Sequence, residues 1–144
     1  MKHTGALMEY SQERSDALMK AYDEYISSCS HINMSEVYNK IVNTPADRFW
    51  VSDKRADTVI SAIIRGESRL DKMRPLKREM YEELYRRVIE LKKIHPDFST
   101  FKLCSIVVLQ PAPKFYLTPG TAKTMVCKAR KEWIRRKHVR LRLL

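Results

Sequence analysis

Pro45-Ala-Asp-Arg-Phe-Trp-Val-Ser52 returns without a gap as Pro111-Ala-Pro-Lys-Phe-Tyr-Leu-Thr118, at a constant offset of 66 residues (45 to 111). The matched positions carry the same kinds of residue: a turn-forming proline, an alanine, two neighbouring aromatics and a hydroxyl. Repetition at a fixed spacing is typical of a duplicated supersecondary unit. The two stretches therefore predict that one structural unit occurs twice in this chain.

The offset divides the chain into a first half, residues 1–72, and a second half, residues 73–144. A chain of 144 residues can bury roughly two thirds of its unfolded surface, whereas each half alone would form only a marginal core. We therefore expect the two halves to pack against each other around a pseudo-twofold axis, as one compact unit.

Each half predicts three α-helices. The first helices are expected near residues 11–28 and from Pro75 onward, where apolar residues recur at helical spacing. Each of the other four helices should follow a residue that is suited to an N-cap, namely Asn33, Ser52, Ser99 and Thr118. The links that precede the third helices should hold Phe49 and Phe115 in equivalent buried positions.

The predicted fold class is all-α, a tandem duplication of a three-helix, helix-turn-helix-like unit. A third helix with a basic outward face is what helix-turn-helix DNA-binding units use as a recognition helix. The link from Asn43 to Ser52 is longer than the turn of that motif and contains Pro45, so the similarity is one of analogy.

The two third helices should end differently. Gly66 ends the helix of the first half, because glycine readily closes a helix C-terminus. The second half has no glycine at that position, so its helix should run on toward Lys137. Beyond Val139 we expect a frayed or disordered tail, since Arg140 would otherwise fall on the buried stripe of the helix.

Charge separates the halves more sharply than any motif does. The first half carries ten Lys or Arg against eleven Asp or Glu, and the second half carries 18 against six. The whole excess of positive charge, +11 for the chain, therefore lies in the second half. Such a one-sided distribution favours a polyanionic partner such as nucleic acid or an anionic membrane surface.

The last predicted helix carries a basic ridge on the face opposite its apolar stripe. From residue 122 onward there are nine basic residues against Glu132 alone. Regularly spaced cations suit contacts with phosphates along a groove, although a solvated face that maintains solubility would show the same pattern. The candidate nucleic-acid-binding residues on this helix are Lys123, Thr124, Lys128, Lys131, Arg135 and Arg136.

Lys114 and Tyr116 are secondary candidates for the same surface. A cation beside an aromatic ring can hold a phosphate while the ring stacks on a base. Arg48 and Trp50 repeat the pattern in the neutral half. That repetition favours the alternative interpretation, in which the aromatic residues wedge the link against the helices.

The sequence predicts a protein that is not an enzyme and uses no cofactor or metal. Its three glycines form no phosphate-binding loop, and its four histidines lie in no nucleophile or metal-ligand pattern. Three cysteines without metal-site spacing indicate reduced thiols and a cytoplasmic location. The acidic cluster Glu79, Glu82 and Glu83 could hold a nuclease metal, but helical i,i+4 ion pairs of Glu82 with Arg86 and of Glu83 with Arg87 explain it better.

Two segments, residues 111–120 and 73–80, read Pro-Ala-Pro-Lys-Phe-Tyr-Leu-Thr-Pro-Gly and Met-Arg-Pro-Leu-Lys-Arg-Glu-Met. They resemble a family of small uncharacterised bacterial proteins associated with mobile or phage-derived elements. The resemblance covers most of residues 30 to 135. It implies no established activity and no site residues.

The predicted function is non-enzymatic binding of nucleic acid, double-stranded DNA rather than RNA, through the basic last helix. The alternative is a structural or assembly adaptor of a mobile element, in which the neutral half docks a protein and the basic helix meets an acidic protein partner. A third interpretation lets the apolar residues near the C-terminus enter an anionic membrane, which the sequence favours least.

Overall fold

The protein is all-helical within residues 10–143, the part of the chain that the computed structural model describes. Six α-helices and one short 3₁₀ helix between α3 and α4, Arg69–Lys72, make up this part. The α-helices are α1 Ser11–Ser28, α2 Met34–Val42, α3 Asp53–Ile64, α4 Pro75–Ile94, α5 Thr100–Val107 and α6 Pro119–Leu143. The predicted all-α fold class is therefore confirmed.

The predicted N-caps are all present. The side-chain oxygen of Asn33 accepts from the backbone N–H of Ser35, and Ser52 accepts from Arg55 in the same way. Ser99 caps α5, and the Thr118 hydroxyl accepts from the backbone N–H of Thr121 in the first turn of α6. These bonds satisfy orphan N–H groups and set the helix starts at equivalent positions in the two halves.

The two links meet in a pair of reciprocal hydrogen bonds. Ala46 and Ala112 each donate a backbone N–H to the carbonyl oxygen of the other, at 2.9 Å in both directions. The N–H of Phe49 donates to Val108 O and that of Phe115 donates to Val42 O, both at 3.0 Å. Each bond maps onto its counterpart at the offset of 66 residues, as a pseudo-twofold axis between the links requires. The duplication itself stays a prediction.

The third helices pack on the opposite half. Helix α6 packs on α1 and α2, and α3 packs on α4 and α5. A single core results, to which both halves contribute and which includes Phe49 and Phe115 at 1% and 5% exposure. The predicted division at residue 72 thus describes the repeat in the sequence. In the folded protein the two halves exchange their third helices, because each third helix packs on the first two helices of the other half. The helix-turn-helix analogy also weakens, because α5 is not among the helices on which α6 mainly packs.

Helix α6 is longer than the sequence predicts. It continues to Leu143, so the expectation of a frayed tail after Val139 was wrong. That expectation assumed a buried stripe along the whole helix, but none of the residues from Arg130 to Arg142 is buried. Arg140 therefore stays in solvent and does not oppose helix formation. No proline or glycine interrupts the segment either.

Candidate nucleic-acid interface

The ridge on α6 is exposed along its whole length. Thr124, Lys128, Lys131 and Arg135 all face solvent, whereas Ala122 and Val126 on the opposite side are fully buried. The core therefore fixes the rotation of the helix and with it the direction of the ridge. Lys123, beside the ridge near the start of α6, is exposed as well.

Within residues 10–143, the lysines of the ridge have no carboxylate partner. Among residues 10–143, neither Lys128 nor Lys131 forms a salt bridge, while Arg135 pairs with Glu132 at 2.9 Å. This pair lies within one exposed helix and is worth little in water. The cations of the ridge can thus bind an external anion without first breaking a strong internal contact.

The second half of α6 projects beyond the core. The segment from Arg130 to Leu143 rises about 20 Å at the usual 1.5 Å per residue. Even Trp133, on the extension of the apolar stripe, is 62% exposed. Cations surround the projecting segment on all sides, and they are Arg130, Lys131, Arg135, Arg136, Lys137, Arg140 and Arg142.

A cleft of about 520 Å³ lies where α6 meets the first half of α1. Lys128 and Arg136 of α6 line it together with Arg14 of α1, and the carboxylates of Asp16, Asp23 and Glu132 line it too, so the charges of the cleft balance. The Nε atom of Arg14 is buried, and within the described part of the chain it has no hydrogen-bond partner. Burial lowers the pKa of the Arg14 guanidinium from its usual value.

The sequence pattern does not reveal that Arg14 lies beside α6. This residue belongs to the neutral half, far along the chain from the basic helix. Only the packing of α6 on α1 brings it beside Lys128 and Arg136. No residue pattern near Arg14 in the sequence predicts that contact.

Lys114 and Tyr116 lie in a different environment from the ridge. The Lys114 ammonium pairs with Glu79 of α4, and the Tyr116 ring stacks on Phe49 with centroids 6.1 Å apart. Burial, together with Glu83 and Glu79, raises the pKa of Tyr116 to about 12. The Tyr116 ring thus packs on the opposite link, as the wedge interpretation predicts, while the Lys114–Glu79 pair lies nearer the surface.

The first link is held in the same manner by its own arginine. Arg48 donates to the carbonyl oxygens of Phe49 and Val51, at 3.0 and 3.1 Å. Its guanidinium carbon also lies 4.3 Å from the centre of the Tyr10 ring. The cation-aromatic pairs of both links are thus engaged in contacts within the protein.

The acidic cluster of α4 is likewise engaged with cations. Glu83 binds both Arg86 and Arg87, and Arg86 also binds Glu90. The pairing expected between Glu82 and Arg86 is replaced by these contacts, since Glu83 and Glu90 hold the Arg86 guanidinium. Within residues 10–143, no group of three His, Cys, Asp or Glu side chains is placed to hold a metal ion.

No protein-family model, curated protein or solved structure gives a significant match to this chain. Among the described helices, none combines the length and apolar character that crossing a bilayer needs.

Proposed function

We propose that this protein binds double-stranded DNA by inserting the projecting part of α6 into a groove. The observation that supports this most strongly is a helix that leaves the core with cations on every side and a single acidic residue, Glu132. A helix with its side chains is about 10–12 Å wide, which suits a major groove about 12 Å across. Basic-region helices of other DNA-binding proteins use the same arrangement.

Cations on opposite sides of α6 would reach the two strands. Lys131 and Arg135 lie on the ridge, and Lys137 and Arg140 lie on the other side of the projecting helix. Phosphate contacts of this kind position a helix and supply affinity that depends on salt, but they carry no base sequence.

The test is an anisotropy titration of duplex DNA across a salt series. Replacing Lys128, Lys131 and Arg135 together by Gln should weaken binding and flatten the slope of log affinity against log salt by roughly 2–3. Helix content and the thermal midpoint should hardly change, since Gln forms helices about as well as Lys.

The matched control replaces Lys40, Lys54 and Lys93 by Gln, three exposed lysines that lie outside α6 and have no salt bridge among the described residues. An equal loss of affinity in this control would mean that binding follows net charge, with no site on α6. Single strands and RNA, titrated in parallel, decide whether the duplex is preferred.

An assembly adaptor of a mobile element, docking an acidic protein, is the alternative proposal. It takes precedence if the wild type binds no nucleic acid even at low salt. The non-enzymatic character and the cytoplasmic location stay predictions in either case.

A further inference from the structure

The two halves differ in a groove beside each first helix. In the second half, the guanidinium of Arg87 fills this groove. Its Nε binds Glu83 at 2.7 Å, an Nη donates to Pro111 O at 2.8 Å, and its central carbon lies 4.9 Å from the centre of the Phe49 ring. The same Nη approaches the side-chain oxygen of Gln110 at 3.4 Å.

The equivalent groove in the first half is open. At the offset of 66 residues, Ala21 is at the position equivalent to Arg87, and Ala17 is at the position equivalent to Glu83. The other three contacts of Arg87 also have counterparts, and all five counterparts line one cavity of about 470 Å³: Ala17, Ala21, Thr44, Pro45 and Phe115. Two alanines therefore leave empty the volume that an ion pair occupies in the second half.

The open groove offers what a guanidinium needs. No hydrogen bond from the described residues reaches Pro45 O, the counterpart of the carbonyl that accepts from Arg87. Glu24 and Asp47 line the groove with one cation, Lys20, so its balance of charge is negative. The Phe115 ring supplies the apolar surface on which a planar cation can lie.

We propose that this groove binds the arginine side chain of a partner polypeptide, in the position that Arg87 occupies in the second half. Arginine fits better than lysine, because a planar guanidinium can stack on a ring and donate in its own plane at the same time. This site is separate from α6 and does not depend on DNA binding.

The experiment follows backbone amide shifts of the ¹⁵N-labelled full chain during titration with the blocked tripeptide acetyl-Gly-Arg-Gly-amide. Saturable shifts should be confined to amides around the groove, such as Ala21, Ala46 and Phe115, with a dissociation constant of about 1 mM for so small a probe. The lysine tripeptide at equal ionic strength should bind more weakly. Equal binding of the two peptides would overturn the proposal.

Two variants decide whether the groove is responsible. Ala21→Arg places an internal guanidinium in the groove and should abolish the saturable shifts. Ser27→Arg adds the same charge on an exposed position of α1 outside the groove and should leave them intact. Shifts that persist in Ala21→Arg would show that the peptide binds elsewhere.

The converse variant, Arg87→Ala, should create a second set of shifts around Phe49 and Ala112. Failure to do so would contradict the equivalence of the two grooves, on which the proposal rests. Sedimentation of the protein alone identifies the occupant. If the wild type self-associates and Ala21→Arg does not, the partner polypeptide is a second copy of this chain.

Discussion

Helices α3 and α6 begin alike and end differently. Both follow a hydroxyl N-cap, and both bury an alanine in the first turn, Ala56 and Ala122. Helix α3 then ends in a Schellman motif: Gly66 has φ +86°, its N–H donates to Ile63 O, and the next N–H donates to Ala62 O. In α6 the counterpart of Gly66 is Glu132, and the helix continues.

The difference separates what the fold requires from what one half adds. The buried start of each third helix is shared, because each closes the core against the opposite half. None of the residues from Arg130 to Arg142 belongs to the buried core, so core packing does not explain the cations of this part of α6. The grooves show a second difference. Arg87 fills the groove of the second half, whereas the equivalent groove of the first half is open.

The largest expected effect concerns the shared core. Phe115→Ala and Phe49→Ala should each lower the free energy of unfolding by about 3–5 kcal/mol, as large core truncations do. Phe49→Ala should cost more, because Phe49 also contacts Arg87 and Tyr116. Urea unfolding of the two variants checks both statements. A cost under about 1 kcal/mol for either would mean that this aromatic is no wedge.

The second prediction concerns the filled groove. Arg87→Ala should destabilise the protein by about 2–3 kcal/mol, because it removes a charged hydrogen bond to Pro111 O and the contact with Phe49. Glu83 keeps Arg86, so no carboxylate is left unpaired. Arg86→Ala is the matched control on a more exposed neighbour and should cost less. If urea unfolding gave equal losses of unfolding free energy for the two variants, the contacts of Arg87 in the groove would add no stability beyond its ion pair.

Much of this fold could be predicted from the sequence, because caps and apolar spacing act locally. Asn33 and Ser99 set their helix starts through bonds to the next few residues, and Gly66 ends its helix by its own conformation. The ridge on α6 could be predicted for the same reason, since helical periodicity alone assigns its face.

The exchange of the third helices could not be predicted. An extended link such as residues 43–52 can direct α3 to either half, and the apolar stripe of α3 looks the same in both cases. The choice depends on the bridge between Ala46 and Ala112, which joins residues far apart in the chain. Arg14 escaped prediction as a consequence, because it meets Lys128 only when α6 packs on α1.

The smallest expected effect distinguishes the links themselves. The first link has Trp50 where the second has Tyr116, and of these two aromatic residues only Tyr116 can ionise. Tyr116 also has a positive φ of 56°, uncommon for a bulky residue, which the stacking on Phe49 helps to hold. The protein therefore keeps this phenol where burial and the carboxylates of Glu83 and Glu79 oppose its ionisation.

The raised pKa makes the second link sensitive to alkali. An unfolded tyrosine ionises near pH 10, whereas Tyr116 in the folded protein holds its proton to about pH 12. Between these values the unfolded state has lost a proton that the folded state keeps, so stability present below pH 10 falls as the pH rises. Tyr116→Phe removes this contribution, and its urea midpoint should fall less between pH 9 and pH 11 than that of the wild type. Tyr85→Phe, at a partly exposed tyrosine of α4, is the control and should behave like the wild type. An equal fall of the urea midpoint in all three proteins would show that the folded protein does not oppose the ionisation of Tyr116.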